Sequence, residues 1–166
     1  MLKLLSIIAV IPLLSCSPLS PDIPSDSSTE NGDKTETENT GSDMVKLLIS
    51  NGKETITATF SDNSSAKAFA DRLSKGPVVV DMSDYGGFEK VGSLGFSLPT
   101  NDKRITTKPG DVILYQGNQI TIYYDQNTWS FTLMAHVDGL NQQQLKDFLG
   151  KGDVKITFSL QTNENQ

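Results

Sequence analysis

A single cysteine, a single histidine and a single tryptophan in 166 residues leave this chain few routes to covalent or metal chemistry. One thiol closes no disulfide within the chain and builds no cysteine metal site, and His136 alone is too few ligands for a histidine zinc site. A serine triad would have to use that same histidine, and Gly92-Ser93-Leu94-Gly95 lacks the spacing of a nucleophile elbow. Asp81, Ser83 and Asp84 ahead of Gly86 have the outline of a calcium loop, but its twelfth position is Gly92, where a bidentate Glu is required. No metal and no cofactor are expected. A basic stripe with interleaved aromatics is also missing, which argues against a nucleic-acid partner. The longest apolar run, Leu4 to Leu14, is too short to cross a bilayer, which takes about 20 residues.

What that run does offer is export. Lys3 supplies a positive charge, Leu4 to Leu14 the apolar segment and Ser15 a small residue ahead of a cut, the layout of a secretory signal over residues 1–15. With Leu13-Leu14-Ser15-Cys16 at its end, the leader resembles the processing site of bacterial lipoproteins. The resemblance implies removal of the leader, a diacylglyceryl group on the Cys16 thiol and acylation of the new amino terminus. Each buried methylene adds about 0.8 kcal/mol and a single chain holds only marginally, so two or three chains make a durable anchor. The expected partner is thus a membrane, reached through lipid, and the expected location is the bacterial cell envelope. Ser17, rather than an acid, after Cys16 resembles the pattern of outer-membrane lipoproteins.

Residues 16–43 change character. Ser, Thr, Pro, Asp and Glu dominate, with Leu19 and Ile23 almost the only large apolar side chains, too few to offset the entropy of ordering. Seven acids against one base, Lys34, put the whole formal charge of −6 into this stretch. It reads as a solvated, self-repelling tether that would hold a domain about 30 Å from the membrane.

Residues 44–166 have the length of one domain with one core. Val45, Leu47 and Ile49 alternate, Asn51-Gly52 signals a hairpin, and Ile56, Ala58 and Phe60 alternate in the return strand. Ala66, Phe69, Ala70 and Leu73 share a helical face, with Asp62 or Asn63 as cap and Gly76-Pro77 as stop. Val78 to Met82 and Phe88 to Leu94 read as strands around a Gly-rich loop. Lys108-Pro109-Gly110-Asp111 fits a type II turn, and Val112 to Gln116 and Ile120 to Tyr124 flank Gly117-Asn118, suited to a type II′ hairpin. From Trp129 on, Trp129, Phe131, Leu133, Ala135 and Val137 share one face and Ser130, Thr132, Met134 and His136 the other. Asn141 and Gln144 form a capping box before the stripe Leu145, Phe148, Leu149, and Val154 to Leu160 alternate to close the chain. The order is two strands, a helix, about five strands, a helix and a strand. Full closure removes every exposed sheet edge, so the expected fold is mainly β: a closed barrel of about eight strands with two helices covering its ends.

Gly95-Phe96-Ser97-Leu98-Pro99, then Lys108-Pro109-Gly110-Asp111, then Val112 to Ile120 resemble the bacterial and archaeal cyclophilin-like proteins, over about Met44 to Leu160. The resemblance implies a cyclophilin-like barrel and no particular reaction. True cyclophilins rotate the bond before proline, a barrier of about 18–20 kcal/mol, with an apolar pocket and an arginine. This chain lacks their Phe-His-Arg strand and Gln-Gly-Gly segment, and its only arginines are Arg72, which reads as a solvated helix residue, and Arg104, between Pro99 and Pro109.

The resulting expectation is a lipid-anchored envelope protein whose barrel is a binding or accessory module for a peptide or small molecule. The ligand groove is expected from Phe96, Arg104, Gln116, Trp129 and His136, although His136 also reads as a rim residue. Trp129 with Tyr123 and Tyr124 can form a stacking platform, but their alternation with Ile120, Ile122 and Phe131 reads first as core packing. The alternative is a divergent peptidyl-prolyl isomerase acting on exported proteins with Arg104 as its electrostatic element, and a third possibility is a structural protein with no ligand.

Overall fold

A computed structural model describes residues 45–161; Cys16, the leader and the tether lie outside the described residues. The elements are β1 (Leu47–Ser50), β2 (Thr55–Phe60), α1 (Ser64–Leu73), β3 (Val78–Tyr85), β4 (Glu89–Ser93), β5 (Lys103–Thr106), β6 (Asp111–Tyr115), β7 (Gln119–Tyr123), β8 (Thr128–Val137), α2 (Gln142–Leu149) and β9 (Val154–Leu160). Eight strands pair antiparallel in the circuit β2-β1-β9-β3-β4-β7-β6-β8, and Ala58 opposite Val137 with Phe60 opposite Ala135 joins β8 back to β2. The barrel is closed. Closure satisfies the ladder groups that an open sheet would present to other chains.

The interior is filled by side chains, as expected for eight strands. Leu47, Ile49, Val80, Ile120, Ile122 and Phe158 are each 2% exposed or less. Both helices bring their apolar stripes to this same core: Phe69 and Leu73 from α1, and Leu145, Phe148 and Leu149 from α2. Phe69 meets Phe158 of β9 edge to face at 5.8 Å. The caps are those the sequence promised. Asn63 accepts from the Ala66 amide at 2.9 Å, and Asn141 and Gln144 form the reciprocal capping box.

One inward position carries a charge. Lys90 of β4 is fully buried, with its Nζ 2.7 Å from Asp84 Oδ1 and donating also to the Gly152 carbonyl. Asp84 accepts further from the Tyr124 hydroxyl at 3.1 Å and from the Gly152 amide at 2.8 Å. The hydrogen bond from Lys90 holds the Asp84 carboxyl below its ordinary range. Burial, and then the bond to Asp84, pushes the Tyr124 phenol up to about 12.

The first hairpin is as expected: β1 pairs antiparallel with β2 through Asn51-Gly52, where Asn51 Oδ1 accepts from the Lys53 and Glu54 amides and the Asn51 amide donates to the Glu54 carbonyl at 3.2 Å. Other local expectations are corrected. In the β6–β7 hairpin Tyr115 pairs with Gln119 and the corner falls one residue early, on Gln116 and Gly117, both at positive φ (51° and 76°), as a type I′ turn requires. By contrast the Lys108 to Asp111 turn is as expected, with Gly110 at φ 97° and the Asp111 amide donating to the Lys108 carbonyl at 3.0 Å.

A further correction concerns β8. Val112 faces Ala135 but Ile113 faces Leu133, so Met134 is an extra residue in the strand. Such a bulge breaks the two-residue alternation. Ala135 and Val137 enter the barrel core, while Phe131 and Leu133 join a second, outer cluster. Trp129, expected in the core on the same alternation, is 56% exposed. A ninth strand, β5, not among the expected strands, lies outside the barrel and pairs with the first half of β8, Lys103 opposite Phe131 and Thr106 opposite Thr128.

Candidate functional site

Alternation on the strands fixes a second apolar layer on the outside of the barrel. On β7 Ile120 and Ile122 point to the core, which turns Gln119, Thr121 and Tyr123 outward; on β6 Val112 and Leu114 point in, which turns Ile113 and Tyr115 out. Ile113, Tyr123 and Phe131 are buried in this layer, with Phe88, Ile105, Tyr115 and Leu133 packed against them. The rings are ordered. Phe88 stacks on Tyr123 at 5.9 Å, Tyr123 meets Phe131 at 5.6 Å, and Tyr115 meets Phe131 edge to face at 6.2 Å.

Beside these rings lies a cavity of about 450 Å³, a size that suits a small ligand or a peptide side chain. Tyr115, Tyr123 and Phe131 form its aromatic wall, and Tyr85 and Trp129, 63% and 56% exposed, line it as well. Gln116, Gln119, Thr121 and Asn127 add hydrogen-bonding groups. Glu89 is the sole carboxylate in the lining, which holds no Lys, Arg or His, and it is only 7% exposed.

Glu89 stands opposite Tyr123 in the β4–β7 ladder. Its Oε2 and the Oγ1 of Thr121 are enclosed without a hydrogen-bond partner, the two such side-chain atoms among the described residues. Burial raises the Glu89 carboxyl above the ordinary range, and the neighbouring Tyr123 and Thr121 hydroxyls only partly counter it. Burial likewise pushes the Tyr123 phenol up, assisted by Glu89. An orphaned buried polar atom costs about 1–3 kcal/mol, which a ligand group can recover. Two further hollows of similar size, one beside Asn63 and Lys103 and one beside Tyr124 and Lys146, contain no such atom.

Glu89 also couples stability to pH. Because the folded state holds the Glu89 proton to higher pH than the unfolded chain does, its penalty is absent below the ordinary glutamate range and grows as pH rises toward the folded-state value. Glu89→Gln is expected to raise the urea midpoint at pH 8 relative to the parent, with the difference shrinking toward zero at pH 4.

Of the five expected groove residues, Gln116 and Trp129 line this cavity. Gln116 holds the corner at positive φ, uncommon for a residue with a side chain, and its Nε2 lies 3.2 Å from the Tyr115 hydroxyl. The other three lie elsewhere. Phe96 packs against the barrel core with the Arg72 guanidinium 5.3 Å above its ring, so Arg72, expected to be solvated, is half-buried. Arg104 is exposed on β5, opposite Ser130. His136 Nδ1 is 2.8 Å from Oδ1 of the buried Asp111, whose Oδ2 accepts from the Lys108 amide at 2.9 Å, so the histidine braces the type II turn. Glu89, Thr121 and Tyr115 are additions that sequence reasoning misses. Their cue is the outward register of Gln119, Thr121 and Tyr123 beside Glu89 and Val91, visible only once β4 and β7 are known to pair.

The Gly95 to Pro99 segment works as a strap: the Leu98 amide donates to the Gly117 carbonyl at 2.7 Å and Ser65 Oγ to the Pro99 carbonyl at 2.6 Å. A family model described as the Cyclophilin-like family matches residues 49–159. The chain belongs to the cyclophilin-like family. Among solved structures it is similar to the solution structure of a hypothetical protein from Archaeoglobus fulgidus, at 12% identity and a TM-score of 0.52, over 70% of this chain and 94% of that one. At that identity the likeness concerns the fold alone. No curated protein matches the chain.

Proposed function

We propose that this protein is a lipid-anchored envelope protein whose barrel binds a peptide side chain or small organic ligand in the outer aromatic cavity. The observation that carries the binding is the enclosed Glu89 and Thr121 oxygens without partners in a hollow whose lining includes five aromatic residues. A surface that served only packing would gain nothing from leaving them unpaired. Anchoring rests on the Leu13 to Cys16 processing pattern. The isomerase alternative draws no support from this cavity, since neither arginine lines it.

Trp129 is the sole tryptophan and stands in the cavity lining, so it reports on binding there directly. Titrating the purified full chain with the neutral fluorescent probe N-phenyl-1-naphthylamine is expected to give saturable probe emission sensitised by Trp129. Thr121→Trp, which fills the hollow, is expected to weaken probe binding at least about tenfold, a loss of about 1.4 kcal/mol. Absence of saturable binding, or binding indifferent to Thr121→Trp, contradicts the proposal. For the anchor, Cys16→Ser is expected to move the protein from the membrane pellet to the soluble fraction; a variant still retained in the pellet contradicts lipidation.

A further inference from the structure

The chemistry of the cavity lining narrows the ligand class, a step that rests on the binding role proposed for the same cavity. The lining combines one acid with five aromatic residues, Tyr85, Tyr115, Tyr123, Trp129 and Phe131, and neither Lys, Arg nor His belongs to it. A ligand anion would meet an acid with no base to offset it. A cation meets the opposite: ring faces carry negative electrostatic potential and attract an ammonium, most strongly where water is excluded. The orphaned Glu89 Oε2 accepts hydrogen bonds, and a cation beside it would favour the charged carboxylate and supply its missing donor. The Thr121 hydroxyl is free to accept a second bond from the same head group.

We infer that the cavity selects a primary ammonium carried on an apolar stem, its head at Glu89 and Thr121 and its methylenes along Tyr115, Tyr123 and Phe131. A lysine side chain of a peptide and a free alkylamine share this chemistry. The volume of about 450 Å³ leaves room for either. Tyr85 and Trp129, both more than half exposed, are placed to cover the stem where it leaves the hollow.

Competition against bound N-phenyl-1-naphthylamine on the full chain separates this inference from the binding role beneath it. The competitors are N-acetyl-lysine methylamide against N-acetyl-norleucine methylamide, and n-butylamine against n-butanol, all at pH 7. Each ammonium member is expected to displace the probe at a concentration at least about tenfold below its neutral counterpart, a difference of about 1.4 kcal/mol. In Glu89→Gln that preference is expected to collapse to within about twofold, read as the ratio within each pair so that any change in probe affinity cancels. Preference for the lysine derivative but not for butylamine supports a peptide source; an equal preference in both pairs supports the amine group alone. Probe binding with no ammonium preference, or a preference that survives in Glu89→Gln, overturns the inference and leaves the binding role standing. No probe binding in the parent chain overturns both.

Discussion

Asp84→Ala is expected to lower the unfolding free energy by about 3 kcal/mol, read as a fall of about 12 °C or more in the thermal midpoint. The cause is Lys90. Its ammonium is buried on all sides and keeps one other partner, the Gly152 carbonyl, once the carboxylate is gone. Removing one member of a buried pair typically costs about 3–5 kcal/mol because the remaining charge is left uncompensated. Asp84 itself is 40% exposed, so water can reach the vacated place and the loss falls toward the lower end. Two comparisons isolate the cause. Asp81→Ala, which breaks the exposed pair with Lys155, is expected to change stability by less than about 0.5 kcal/mol. The double variant Asp84→Ala with Lys90→Met, which removes both charges and keeps an apolar stem in the barrel, is expected to recover most of the loss. A double variant no better than Asp84→Ala alone would mean that the buried amine is not the source.

Phe69→Ala is expected to cost about 3–5 kcal/mol, the range for deleting a fully buried aromatic side chain. A domain of this size has a total stability of about 5–15 kcal/mol, so the variant sits near the limit of folding. Phe69 is the residue through which α1 reaches the Phe158 ring, and its removal leaves a hollow that the strands, tied to neighbours on both sides, cannot collapse to fill. Val79, on β3 but 56% exposed, provides the contrast: Val79→Ala is expected to change stability by less than about 1 kcal/mol. Urea unfolding monitored by far-ultraviolet circular dichroism measures both. A Phe69→Ala variant as stable as Val79→Ala would refute the placement of α1 on the core.

Much of the barrel is legible because its cues are local. A stripe at i, i+3, i+4 and i+7 settles α1, a cap at Asn141 answered by Gln144 settles the start of α2, and Pro109-Gly110 settles a turn, each within a few residues. What escapes notice depends on which strands meet. The bulge at Met134 is set by β6, more than twenty residues away, and without it Phe131 and Trp129 read as core. β5 is short and mostly polar, Lys103-Arg104-Ile105-Thr106, and becomes a strand only because β8 continues past the barrel to receive it. The outer cavity follows from the bulge, since the displaced Phe131 and Trp129 of β8 supply part of its wall. Gln116 and Trp129 are reachable from loop position and ring chemistry. Glu89 is not, because a carboxylate between Phe88 and Lys90 carries no sign of which side of the sheet it faces.

The proposed ligand place is the outer face of β4, β7, β6 and β8, and not the filled interior or the Asp111–His136 turn. Backbone amide shift mapping of the full chain during titration with N-phenyl-1-naphthylamine tests this most directly. Perturbations are expected to cluster at Glu89 to Val91, Tyr115 to Tyr123 and Asn127 to Phe131. Shifts centred on Leu47, Ile49 and Phe158 inside the barrel, or on Gly110 and His136 at its rim, would contradict it.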